Sequence, residues 1–124
     1  MNQHSALECL LEYEIRCAFR YRRYVSLLMF SIEYHEQIAN KLANQPILRD
    51  SDVIFRFDKH FAILLSETDQ SSARSLLERL KKECHIPSTF HHSLVCYPYD
   101  GMTSLELIEK ANKMLHNVTL LSIQ

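Results

Sequence analysis

At 124 residues with 47% hydrophobic and 23% charged side chains, the chain has the make-up of one globular domain large enough for a real core. Its net charge of -1 excludes a global pull towards nucleic acid or anionic lipid, and no apolar run approaches the roughly 20 residues of a membrane helix. No basic-then-apolar leader opens the chain, and Cys9, Cys17, Cys84 and Cys96 show no close pairing, so the expected setting is cytoplasmic, with four reduced core thiols.

Residues from about 5 to 23 read as a helix with Leu7, Leu10, Leu11, Ile15, Ala18 and Phe19 on one face. Arg16, Arg20, Arg22 and Arg23 crowd its end. With Glu8, Glu12 and Glu14 nearby, this reads as a solvated helix C-terminus, where cations are favoured, rather than a nucleic-acid patch. Residues 25–32 are nearly all apolar and suit a central strand. A short helix over residues 34–44 turns Ile38, Ala39 and Leu42 inward.

Residues 52–66 read as a hairpin. Val53, Phe55 and Phe57 alternate with Ile54 and Arg56, Asp58-Lys59 makes the turn, and Phe61-Ala62-Ile63-Leu64-Leu65 suits a strand covered on both faces. Thr68 or Asp69 caps a helix over residues 69–85 with an apolar stripe of Ala73, Leu76, Leu77, Leu80 and Cys84, and Pro87 stops it. A strand over residues 89–97 places Phe90, His92, Leu94 and Cys96 on one side. Asp100-Gly101 is a turn in which glycine tolerates positive φ. Thr103-x-x-Glu106 is a capping box opening a helix over residues 104–117, with Leu107, Ile108, Ala111, Leu115 and Val118 buried. Thr119 to Ile123 reads as a short edge strand.

Cys84, His85, His91, His92 and Cys96 lack zinc-finger spacing, and adjacent His91 and His92 on a strand point to opposite faces. No metal site and no cofactor are expected.

The frame Arg49-x-x-Asp52, Arg56-Phe57, Phe61-Ala62-Ile63-Leu64-Leu65 resembles the signature region of the GGDEF (diguanylate cyclase) family, R-x-x-D-x-x-x-R-[YF]-G-G-[DE]-E-F-x-[IL]-[IL]-L. The resemblance runs along most of the chain. LEYEIRCAFRYRRYVSLLMFSIE is similar to the family's opening helix and first strand, SLVCYPYDG to its SIGVAxYPxDG strand and turn, and LIEKANKMLHNV to its LLxxADxALYxAK helix. The resemblance implies an α/β (α+β) domain of ferredoxin-like or cyclase-palm type. A central, mostly antiparallel sheet of five strands would be flanked by helices, the family's second helix being lost or shortened. The family's opening motif is missing ahead of the first helix, which implies a piece of a longer protein.

The catalytic signature departs from the family. Ser31 stands where the family has a magnesium-binding aspartate, and Ala39 where an asparagine reads guanine. Asp58-Lys59-His60-Phe61 replaces the five residues GG[DE]EF, one fewer, with Lys59 at a metal-ligand position and His60 at a glutamate. Thr119 aligns with a phosphate-binding lysine. Magnesium wants hard oxygen ligands, and phosphoryl transfer rests on metal and cation positioning. The chain is therefore expected not to be an enzyme. Arg49, Asp52 and Arg79 match the family's inhibitory site, so the resemblance implies a bacterial signalling receptor for cyclic di-GMP. The chemistry suits it: an arginine fork bonds guanine O6 and N7, and a carboxylate accepts from guanine. The plainer reading of the trio is local ion pairing, Arg49 with Asp52 or Asp50 and Arg79 with Glu78 or Glu83. The alternative function is a ligand-free module for homodimerisation or for docking another protein, without nucleic acid or membrane insertion.

Overall fold

The computed structural model describes residues 3–45, 47–49, 51–57, 59–87 and 91–123, and for residues 3, 4 and 117–123 the backbone alone. Its elements are α1 (Gln3–Tyr21), β1 (Val25–Ser31), a 3-10 turn (Ile32–Tyr34) running into α2 (His35–Asn44), β2 (Val53–Arg56), β3 (His60–Ser66), α3 (Gln70–Glu83), β4 (His92–Tyr97) and α4 (Ser104–Ile123).

The four strands form one sheet in the order β2-β3-β1-β4, every neighbouring pair antiparallel. β1-α2-β2 and β3-α3-β4 are two interlocked split βαβ units, the ferredoxin-like arrangement. Among the described residues the sheet has four strands where five were expected. Thr119 to Ile123, read from sequence as an edge strand, instead continues α4, which runs past the expected end at 117. Thr89 and Phe90, placed in the fourth strand from sequence, and Asp50 and Asp58 lie outside the described residues.

Strand alternation splits the core into two layers. Val25, Leu27 and Met29 of β1 face α1 and α4, packing with Leu7, Leu11, Ile15, Leu107, Ile108 and Ala111. Leu28 and Phe30 face α2 and α3, packing with Ile38, Ala73, Leu77 and Leu80. Phe30 stacks on Phe61 of β3 with ring centroids 4.8 Å apart. β1 is thus covered on both faces, which explains its near-continuous apolar run.

Helix ends follow local chemistry. Asp69 accepts the Ser72 N–H at 2.8 Å and caps α3. Arg22 and His85 adopt left-handed φ, and the next residues' amides reach back five positions, Arg23 to Ala18 and Ile86 to Lys81. This is the Schellman closure, here without glycine. The Thr103 hydroxyl accepts the Glu106 N–H at 3.1 Å at the start of α4. Three sequence expectations need correction. Gly101 does not have positive φ. Phe19, assigned to the buried face of α1, is 73% exposed. Of the four free cysteines only Cys96 is buried, and Cys9 is exposed.

Candidate functional site

Two groups of residues singled out from the sequence occupy opposite ends of the sheet. The first surrounds the turn before β2. The Arg49 backbone N–H donates to Asp52 Oδ2 at 2.9 Å and its Nη2 to Oδ1 at 3.4 Å. The same Nη2 also donates to the Ser66 carbonyl and, at 2.7 Å, to the Thr68 hydroxyl. The turn is therefore fastened to the end of β3 and the loop that enters α3. The Asp52 side chain is 4% exposed, whereas that of Arg49 is 52% exposed. The carboxylate is spent on holding the arginine; Nε and Nη1 have no partner among the described contacts.

Arg79 stands on α3, its side chain 53% exposed and its Nε 3.5 Å from Glu83. No hydrogen bond or ion pair among the described residues joins it to Arg49 or Asp52. The structure therefore builds Arg49 and Asp52 as one unit and leaves Arg79 to its own helix. Glu14 of α1 lies nearby. Burial, with the charges of Glu67 and Asp52, raises its carboxyl above the usual range.

The second group lies where the β2–β3 connection meets the end of β1. Register sets Ser31 opposite His60, and the Ile32 amide donates to the Lys59 carbonyl at 3.0 Å. Ser31 Oγ donates to Glu33 Oε1 at 3.4 Å. Ser31, Glu33, Lys59, His60, His91 and His116 line a cleft of about 510 Å³. Ala39 is not among its lining residues; it sits on α2, whose Ile38 packs in the opposite core layer. A neighbouring cavity of about 450 Å³ under α1 and α4 shares His60 and His116 and is floored by Leu7, Met29 and Ile108. Burial, aided by Lys59, lowers the His60 imidazole from its ordinary value, favouring its neutral form. Lys59 and the imidazoles offer donors to an anion, with Glu33 as the acid at the rim. His116 escaped the sequence reading; its one signal is its helical spacing from Asn112, which lines the same cavity. No group of three or more His, Cys, Asp or Glu among the described residues is placed to hold a metal ion, and no described helix is long and apolar enough to cross a membrane.

No protein-family model and no curated protein matches the sequence. Solved structures do match the fold. The GGDEF domain of TpbB (YfiN) from Pseudomonas aeruginosa is 17% identical with a TM-score of 0.75, covering 94% of this chain and 83% of that one. A sensory box/GGDEF family protein from Caulobacter crescentus is 16% identical with a TM-score of 0.73, over 93% of this chain and 90% of that one. The active GGEEF domain of a diguanylate cyclase from Vibrio cholerae is 14% identical with a TM-score of 0.68, over 91% and 87%. The fold is that of GGDEF domains. These matches correct the expectation that the chain is not an enzyme: its fold is one that diguanylate cyclases use, an active one among them, and gives no ground for placing the chain outside enzymes.

Proposed function

We propose that this chain is a cyclic di-GMP-binding module of the GGDEF fold, with Arg49 as the principal ligand contact. One observation carries the reading. Buried Asp52 fixes a half-exposed Arg49 at the β3–α3 junction, so the guanidinium is oriented before any ligand arrives. Pre-organising an arginine removes part of the ordering cost of binding. Nε and Nη1 then donate to a guanine edge or to phosphate. Asp52 acts through Arg49 rather than on the ligand. Arg79 supplies a second cation once it leaves Glu83, an exposed pairing worth little. Titrating the ¹⁵N-labelled chain with cyclic di-GMP tests this reading. Amide shifts centred on Arg49, Asp52, Ser66 and Thr68, extending to Arg79, support it; shifts confined elsewhere, or none, overturn it.

A role in pairing with a second copy or another protein is the second reading. It is favoured by large side chains left in solvent, among them Phe19, Tyr21 and Tyr99.

A further inference from the structure

The end of the molecule where α1 turns into β1 combines charge and exposed aromatic surface. Four arginines fall between Arg16 and Arg23 with no acid among those eight residues, in a chain whose net charge is -1. Arg23 meets Glu67 at 3.4 Å, while Arg16, Arg20 and Arg22 have no described partner. Interleaved with them, Phe19 is 73% and Tyr21 63% exposed. Tyr24 stacks on Tyr99 of the β4–α4 turn with centroids 5.9 Å apart, and Tyr99 is itself 69% exposed. Arg22 holds its left-handed φ at the helix end, which fixes the direction of the following chain.

Core packing does not account for this surface, because α1 buries Leu7, Leu11, Ile15 and Ala18 instead. Tyrosine and arginine are enriched at the energetic centres of protein interfaces, and phenylalanine is enriched in interfaces relative to the rest of the surface. We propose that Phe19, Arg20, Tyr21, Arg22, Tyr24 and Tyr99 dock an acidic segment of a partner protein, one that alternates carboxylates with apolar side chains. Charge complementarity selects an acidic partner. The carboxylates meet the guanidinium groups, and the apolar side chains lie on the rings. A protein segment is favoured over nucleic acid because the chain is not basic overall and three arginines, without a partner among the described residues, neutralise few phosphates. This names the partner of the interaction reading above and does not depend on cyclic di-GMP.

Fluorescence anisotropy tests it with three labelled probes: a peptide alternating Glu with Leu and Phe, the same peptide with Lys for Glu, and single-stranded oligothymidine. The full chain is compared with the Arg20→Glu/Arg22→Glu and Tyr99→Ala variants. The acidic peptide is expected to bind, losing about tenfold or more in affinity in each variant, and less tightly at high salt. Circular dichroism of the variants remains at wild-type values, and so does cyclic di-GMP calorimetry of the uncharged Tyr99→Ala variant, which separates this surface from the Arg49 site. The proposal is overturned if the acidic peptide fails to bind at about 100 µM, binds the variants equally, or binds no better than the lysine peptide. Tighter binding of oligothymidine, or a dimer in light scattering that Arg20→Glu/Arg22→Glu dissolves, overturns it in favour of nucleic acid or a second copy.

Discussion

Arg49 and Asp52 are joined three times: the Arg49 amide donates to Oδ2, its guanidinium to Oδ1, and the Asp52 amide to the Arg49 carbonyl at 3.0 Å, so the turn carries its own clamp. The carboxylate is nearly inaccessible to solvent. Asp52→Ala leaves the Arg49 amide without its acceptor and is expected to cost about 1–3 kcal/mol of stability, read from urea unfolding. Arg49→Ala removes a half-exposed group and should cost less. Equal losses would show that the clamp is not organised around the buried carboxylate.

His85 closes α3 in the left-handed region, with the Ile86 amide bonded to the Lys81 carbonyl at 2.9 Å. Glycine adopts this conformation without the Cβ penalty. His85→Gly is expected to stabilise the chain by about 1 kcal/mol, seen as a raised unfolding midpoint in urea.

Gly101 is needed for space, not for its backbone angle. A Cβ at this position would lie 2.9 Å from the Glu106 Cβ and 3.2 Å from the Leu107 amide nitrogen. Gly101→Ala therefore pushes the β4–α4 turn away from the first turn of α4, and a loss of about 1–3 kcal/mol is expected in thermal or urea unfolding.

His60 gives the fold a pH dependence of definite sign. Its folded-state value is lowered, by burial first and Lys59 second, so the unfolded chain takes up the proton more readily. More protons on the unfolded state means stability rises with pH. The His60 contribution is complete above the ordinary histidine value of about 6.5 and is lost as pH falls from there towards the lowered folded value. Unfolding midpoints between pH 7.5 and 5 are expected to fall less steeply in His60→Gln than in the parent chain (about one histidine's worth of slope).

Local chemistry made much of this legible in the sequence. The alternation of Val53 and Phe55, the apolar run of β1, the Asp69 cap and the Arg49-x-x-Asp52 turn all depend on neighbours a few residues away. The strand expected over Thr119 to Ile123 rests on threonine and isoleucine, which favour strands in isolation, whereas the residues before them already run as a helix that continues through the segment. Phe19 flanks the apolar stripe of α1, and only tertiary packing decides whether a flanking residue is covered; here it is left in solvent. Ser104 donating to Glu12 at 2.8 Å, across most of the chain, had no local signal at all. The same limit applies to Arg79, whose spacing is visible in sequence but whose neighbours are set by how α3 lies on the sheet.

Isothermal titration of the chain with cyclic di-GMP, alongside Arg49→Ala, decides whether the pre-organised guanidinium is a ligand contact. Saturable heat is expected at protein concentrations up to about 100 µM, with affinity weakened about tenfold or more by Arg49→Ala. Absence of heat in the parent chain, or equal affinity in the variant, would contradict that contact.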